Sequence, residues 1–131
     1  MADFLPLTSS SFNSSYDTVP YNDLATLELK LSDPNVCAFM VEPIQGEAGV
    51  VVPDDGYLQG VRRLCTQYNV LFMADEVQTG LCRTGKMMAV DHEQVKPDVL
   101  ILGNITFLCI FVRKPSWFLD HRFLPPSVRN A

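Results

Sequence analysis

The sequence predicts an α/β fold, a mostly parallel sheet with flanking helices, and three observations carry that expectation. Three apolar runs, within "VCAFMVEP", "VLFMADE" and "DVLIL", are continuous rather than alternating, the pattern of strands buried on both faces of a parallel sheet. Between the first two lies "YLQGVRRLCTQYN", whose Leu58, Val61, Leu64, Cys65 and Tyr68 recur at helical spacing. Each run ends in polar or small residues: Glu42, then Asp75 with Glu76, then Gly103 with Asn104. Strand, helix, strand in this order implies crossover connections, and in such sheets functional groups gather just beyond the carboxyl ends of the strands.

Residues 1–19 are Ser-rich and read as an irregular, partly disordered lead. In "YNDLATLELKLSDPN", Asn22 or Asp23 offers a helix cap and Leu24, Leu27 and Leu31 share one face. The proline of "DPN" ends that helix, because it disfavours helical backbone at the residue before it. Strands are expected near 37–42, 70–75 and 98–102, with a glycine-containing loop after the first and a helix over 57–68. Beyond residue 103, "ITFLCIFVRKPSWFLDHRFLPPSVRNA" keeps an apolar run for eight residues and then loses any period. The expected organisation is a lead over 1–19, an α/β unit over 20–103 and a divergent tail over 104–131.

A chain of 131 residues can bury roughly two-thirds of its unfolded surface in one domain. The net charge of −5 argues against nucleic acid or an anionic membrane as the main partner, since both need a basic surface. The charge is uneven: residues 1–103 hold six Lys/Arg and fourteen Asp/Glu, a net of −8, whereas 104–131 carry +3. Cys37, Cys65, Cys82 and Cys109 are widely spaced, with no Cys-x-x-Cys pair and no histidine at ligand spacing, so no metal site is expected. No apolar run is long enough to span a bilayer as a helix. The lead lacks arginine and contains acids, which makes it a poor organellar transit peptide and points to a reducing, cytoplasmic setting.

At "MVEPIQGEAGVVVP" and "LFMADEVQTGLCRTG" the sequence resembles the class III pyridoxal-phosphate-dependent aminotransferases, of fold type I. "YNDL", "DPNVCAFMVEPIQGEAGVVVPDDGYL" and "KPDVLILG" fall in the same order without gaps, so the resemblance covers about residues 20–103. It implies part of the large domain of a longer family chain, with pyridoxal 5'-phosphate as cofactor. By resemblance, Asp75 pairs with the protonated pyridine nitrogen, where a carboxylate about 4 Å away favours the charged ring by roughly 4 kcal/mol at intermediate dielectric. Gln78 bonds the phenolic oxygen, and Val77 packs on the ring face. Glu47 matches a glutamate that pairs with an active-site arginine; that arginine falls past residue 131, so Glu47 is expected to lack a partner. Glu42 matches a second family acid near the substrate, and Arg83 and Thr84 shape the following loop.

The family places its cofactor-linking, Schiff-base lysine immediately after the glycine of "DVLILG"; here the position is Asn104, at the family's spacing from Asp75. An amide nitrogen has its lone pair delocalised into the carbonyl, so it neither forms an imine nor moves a proton. The resemblance implies, for a complete chain of this type, transfer of the δ-amino group of ornithine to 2-oxoglutarate, and no activity for this chain alone. Cofactor binding by this chain alone is expected to be weak or absent. The family partners are an amino acid, a 2-oxo acid and further copies of the chain. The alternative reading is a non-enzymatic fragment that docks on full-length aminotransferase subunits. A mitochondrial matrix location is implied by the resemblance, against the cytoplasmic setting read from the lead.

Overall fold

The computed structural model describes residues 2–6, 16–47, 49–103 and 108–112. The elements in chain order are β1 (Ala2–Pro6), β2 (Thr18–Val19), α1 (Leu24–Leu31), β3 (Val36–Val41), α2 (Tyr57–Gln67) and β4 (Leu71–Asp75). A 3-10 helix (Ala89–Glu93), β5 (Val99–Gly103) and β6 (Leu108–Val112) complete them. The strands form one sheet in the order β2-β1-β3-β4-β5-β6. Its centre is the expected parallel βαβ core, β3 with β4 and β4 with β5. Antiparallel strands flank it: β1 on β3, β2 on β1, and β6 on β5. Strands β1 and β6 run inside the lead and the tail that the sequence reads as irregular, and both attach through backbone pairing.

Local chemistry explains the helices. Asp23 caps α1, its Oδ1 accepting the Thr26 N–H at 2.9 Å and its Oδ2 the Thr26 hydroxyl at 2.6 Å. Leu27 and Leu31 turn inward and Leu29 outward, the amphipathic pattern of a surface helix. Helix α2 buries Leu58, Val61, Leu64 and Cys65 against the sheet. The paired residues Phe39 and Phe72, and Val41 and Ala74, meet that helical layer, and all four are fully or nearly fully buried. On the opposite face Met40, Leu71, Met73 and Ile101 are only partly buried. The continuous apolar runs lead one to expect burial on both faces; α1 and α2 cover only one.

Asp98 fastens the N-terminal ends of the parallel strands. Its Oδ2 accepts the Arg62 guanidinium at 2.7 Å and the Phe72 N–H at 2.9 Å, while its own N–H donates to the Phe72 carbonyl at 2.8 Å. Arg62 also lies over the Phe72 ring, 5.7 Å from its centre. One carboxylate thus joins α2, β4 and the entry to β5. Replacing it leaves a half-buried guanidinium and a backbone N–H without their acceptor. Asp98→Ala is expected to cost about 2 kcal/mol in urea unfolding, with Asp98→Asn in between; a loss under about 0.5 kcal/mol contradicts this role.

Burial raises two acid groups in the same core, the Tyr57 phenol and the Cys65 thiol, each to about 12. The unfolded chain titrates them near 10.0 and 9.0, so above those values it releases protons that the folded chain retains. Their contribution to stability is therefore complete below pH 9.0 and is lost as pH rises toward about 12. Urea midpoints measured from neutral pH upward should fall across that window, and Tyr57→Phe should flatten the decline. A midpoint independent of pH there would contradict the assignment.

Candidate functional site

Strand register assembles the candidate site. Val41 pairs with Ala74 and Asp75 with Ile101, so Glu42, Asp75 and the end of β5 lie along one edge, at the carboxyl ends of the parallel strands. Asp75 is the last residue of β4, and its Oδ1 accepts the Val77 N–H at 3.0 Å, turning the chain as it leaves the sheet. The Glu76 N–H donates to the Ile101 carbonyl at 2.8 Å, carrying the β4–β5 pairing one residue further. Val77 is thereby folded against Gly103, where a Cβ would come within 2.6 Å of Val77 Cγ1. Any larger residue at 103 would push Val77 off the strand end.

Gln78 reaches across to the loop after β3. Its Nε2 donates to Glu47 Oε1 at 3.0 Å, and its Oε1 lies 2.0 Å from where a Cβ on Gly46 would sit. This corrects the expectation that Glu47 lacks a partner in this chain. The two residues are 31 positions apart, and only the folding of both loops over one edge brings them together. Glu42 follows β3 and is partly buried. Its carbonyl and that of Pro43 accept the Tyr21 hydroxyl at 3.0 and 2.9 Å. The Tyr21 ring packs on Tyr57 with centroids 5.2 Å apart. Burial first, then the neighbouring Tyr57 and Glu42, push the Tyr21 phenol far above its ordinary range. Asn104 lies outside the described residues.

Glu76 has a structural part that local sequence reading misses. It has no solvent exposure, and its Oε2 accepts the Thr79 hydroxyl at 2.5 Å and the Ala89 N–H at 2.9 Å. Its Oε1 accepts the Val90 N–H at 2.9 Å, so the carboxylate caps the start of the 3-10 helix from outside. The signal present in the sequence was Thr79, three residues on in "DEVQT". The same loop is fastened by Arg83, whose Nη1 donates to the Val77 carbonyl at 2.6 Å. His92 Nε2 lies 3.1 Å from the Thr84 carbonyl and 3.2 Å from its hydroxyl. Among the described residues no cluster of His, Cys, Asp or Glu could hold a metal ion, and no helix is long and apolar enough to cross a membrane.

A parallel βαβ core with an acid at its strand end, a valine folded on glycine and an amide bridging two loops defines a class of site, and comparison with known proteins defines the family. The chain belongs to the class-III aminotransferases, whose family model matches residues 3–106. It is similar to the mitochondrial ornithine aminotransferase of Rattus norvegicus, 67% identical over 93 residues that make up 71% of this chain and 21% of that protein. Among solved structures it is similar to the Plasmodium yoelii ornithine aminotransferase, with 70% identity, a TM-score of 0.64, and coverage of 64% of this chain and 22% of the other. It is also similar to the Toxoplasma gondii ornithine aminotransferase, whose structure describes partial occupancy of PLP at the active site. That match has 56% identity, a TM-score of 0.65, and coverage of 66% of this chain and 20% of the other. The chain thus spans about a fifth of the length of the relatives it matches.

Because Glu76 fixes both ends of the loop that carries Val77 and Gln78, its removal should be costly. Glu76→Ala is expected to destabilise the fold by about 3 kcal/mol, since three buried donors lose their acceptor. Hydrogen exchange at Ala89 and Val90 should accelerate more than at Phe72, and Glu76→Gln should recover part of both losses. Unchanged protection at Ala89 and Val90 in Glu76→Ala would contradict the tie.

Proposed function

We propose that the chain is part of the large domain of an ornithine aminotransferase-type enzyme, carrying the ring contacts of the pyridoxal 5'-phosphate site without the capacity to transaminate by itself. The observation that carries this reading is the convergence of Asp75, Val77 and Gln78 at one strand end. The α/β unit of 20–103 holds that edge, with the lead 1–19 and the tail 104–131 on either side. The similarity to a rat protein named as mitochondrial supports a mitochondrial matrix location for the enzyme type.

The residues present fit the cofactor's ring. Asp75 offers a carboxylate already oriented by the Val77 N–H, suited to hold a protonated ring nitrogen. Val77 offers an apolar wall kept in place by Gly103, and Gln78 an amide for a phenolic oxygen. When bound, pyridoxal phosphate supplies an electron sink for the carbanion of amino-group transfer. The chain's own contribution is to orient the ring and keep its nitrogen protonated. Gln78 donates one amide hydrogen to Glu47 and keeps a second N–H for the ring oxygen, and Glu47 has a second carboxylate oxygen for a cationic partner at the substrate side. Glu42 lies beside Asp75 as a second acid on that side. The phosphate needs donors from elsewhere, because the loop's two cations are engaged, Arg83 on the Val77 carbonyl and Lys86 on the Asp91 carbonyl at 3.0 Å.

Asn104 decides the chemistry. Its amide supplies neither a nucleophilic amine nor a base, so the covalent hold on the cofactor and the proton transfer both lack a carrier. The second reading, a fragment docking on full-length subunits, is favoured by the partly buried Met40, Leu71, Met73 and Ile101 on the sheet face opposite the helices. Co-purification with full-length ornithine aminotransferase tests it; elution as separate species excludes it.

The purified chain should not convert ornithine and 2-oxoglutarate above a protein-free control, nor give the near-visible absorbance of a covalently held cofactor. Asn104→Lys alone should stay below about one-thousandth of a complete enzyme's rate, because groups acting as a unit fail together. The same substitution within a full-length aminotransferase sequence should be active. Turnover by the single variant comparable to the complete enzyme would overturn the proposal.

A further inference from the structure

Two backbone segments face each other at the strand-end edge, and each is fastened on its own side. In the loop after β3, Gln45 and Val51 exchange both backbone hydrogen bonds at 3.0 Å, and the Gly49 N–H donates to the Gly46 carbonyl at 3.3 Å. In the segment after β4, the Val77 N–H is held by Asp75 and its carbonyl by Arg83, while the Thr79 hydroxyl donates to the buried Glu76. Neither backbone can retreat from the other without breaking such bonds.

The Gln78 side chain occupies the gap between them. Its Nε2 donates to Glu47, and a Cβ added at Gly46 would lie 2.0 Å from its Oε1, 3.0 Å from Cδ and 3.6 Å from Nε2. A carbon 2.0 Å from an oxygen is far inside any non-bonded contact. The amide therefore stands where it does only because residue 46 carries no side chain. With both backbones tied, an alanine at 46 must move the amide. Gln78 is exposed and can swing to another staggered rotamer at little cost. The Gly46 backbone lies outside the left-handed region, so alanine fits it without strain and has less freedom to lose on folding. Glycine at 46 thus adds nothing to stability; what it permits is the direction of one amide.

We propose that Gly46 is a positioning residue of the strand-end site. By presenting no side chain it lets the Gln78 amide stand beside Glu47 with a second N–H available to a ring oxygen. The proposal rests on the reading of Gln78 as a contact to the cofactor's phenolic oxygen.

The test is NMR and urea unfolding of the full chain without pyridoxal phosphate, as the unaltered protein, Gly46→Ala and Gly49→Ala. In the unaltered chain the Gln78 side-chain amide protons should show a nuclear Overhauser contact to the Gly46 Hα. Gly46→Ala should abolish the contact to residue 46, shift the Gln78 side-chain amide resonances, and hold or raise the urea midpoint. Gly49 has a φ of +104° and nothing within 4 Å of an added Cβ, so Gly49→Ala should lower the midpoint and leave the Gln78 amide in place. No contact in the unaltered chain, unmoved Gln78 resonances in Gly46→Ala, or equal displacement in Gly49→Ala would each overturn the proposal. So would a midpoint lost in Gly46→Ala as in Gly49→Ala, since the role of the glycine would then be structural. A complete ornithine aminotransferase with alanine at the matching position separates the reading beneath: the pH profile of its bound cofactor's absorbance should shift. An unshifted profile beside a displaced amide would overturn the place of Gln78 at the ring and leave Gly46 as the residue that positions it.

Discussion

Glu76 stands with its whole side chain withdrawn from water, one residue beyond β4, and its two oxygens take three hydrogen bonds. Burying an ionised carboxylate costs several kcal/mol unless donors replace the lost water. Two of the donors here are backbone N–H groups that would otherwise be unsatisfied at the start of the 3-10 helix. The same contact therefore satisfies a buried carboxylate and a buried helix start at once. It also fixes the path of the chain between them. Val77 can fold on Gly103 and Gln78 can reach Glu47 only if that path is held.

Asp98 does the corresponding task at the opposite edge of the sheet. It accepts from Arg62 of α2 and from the N–H of Phe72 in β4, and its own N–H returns a bond to the Phe72 carbonyl. The βαβ unit is thus fastened at both ends by acids whose partners include backbone N–H groups. Backbone donors do not vary with side-chain substitution, so these ties tolerate change elsewhere in the sequence. The buried Phe39, Phe72, Leu27 and Val61 fill the space between them.

The parallel core was legible because its signals are local. Continuous apolar runs, a leucine face and Asp23 as a cap all lie within a few residues of the element they specify. The motif singled out Asp75 and Gln78, and the register puts Asp75 at the carboxyl end of β4. What escaped depends on partners distant in sequence. Glu47 meets Gln78 across 31 residues, and Glu76 meets Ala89 and Val90 across 13 and 14. Strand β1 escaped for another reason: its pairing uses backbone groups that every sequence carries, so no period announces it, whereas β6 falls within the eight-residue apolar run at the start of the tail. Burial on both sheet faces was the expectation; among the described residues the helices cover only one.

The bond between Gln78 and Glu47 bears on how much of this edge depends on packing alone. In the family reading, Gln78 serves the ring and Glu47 an arginine; here each satisfies the other at 3.0 Å. Exchanging one hydrogen bond for another changes stability little, typically about 1 kcal/mol or less. Glu76 and Asp98 are untouched by that exchange, because their side-chain partners are Arg62, Phe72, Thr79, Ala89 and Val90 and include neither Gln78 nor Glu47. Stability is a sum over many such contacts, and losing a few leaves most of it. Under the proposed reading, amino-group transfer has no such redundancy, since Asn104 stands where the family has a single amine that serves both covalent attachment and proton transfer. A strand-end edge that keeps Asp75, Val77 and Gln78 in register can therefore coexist with Asn104. The first depends on how the chain packs, the second on the basicity of one nitrogen.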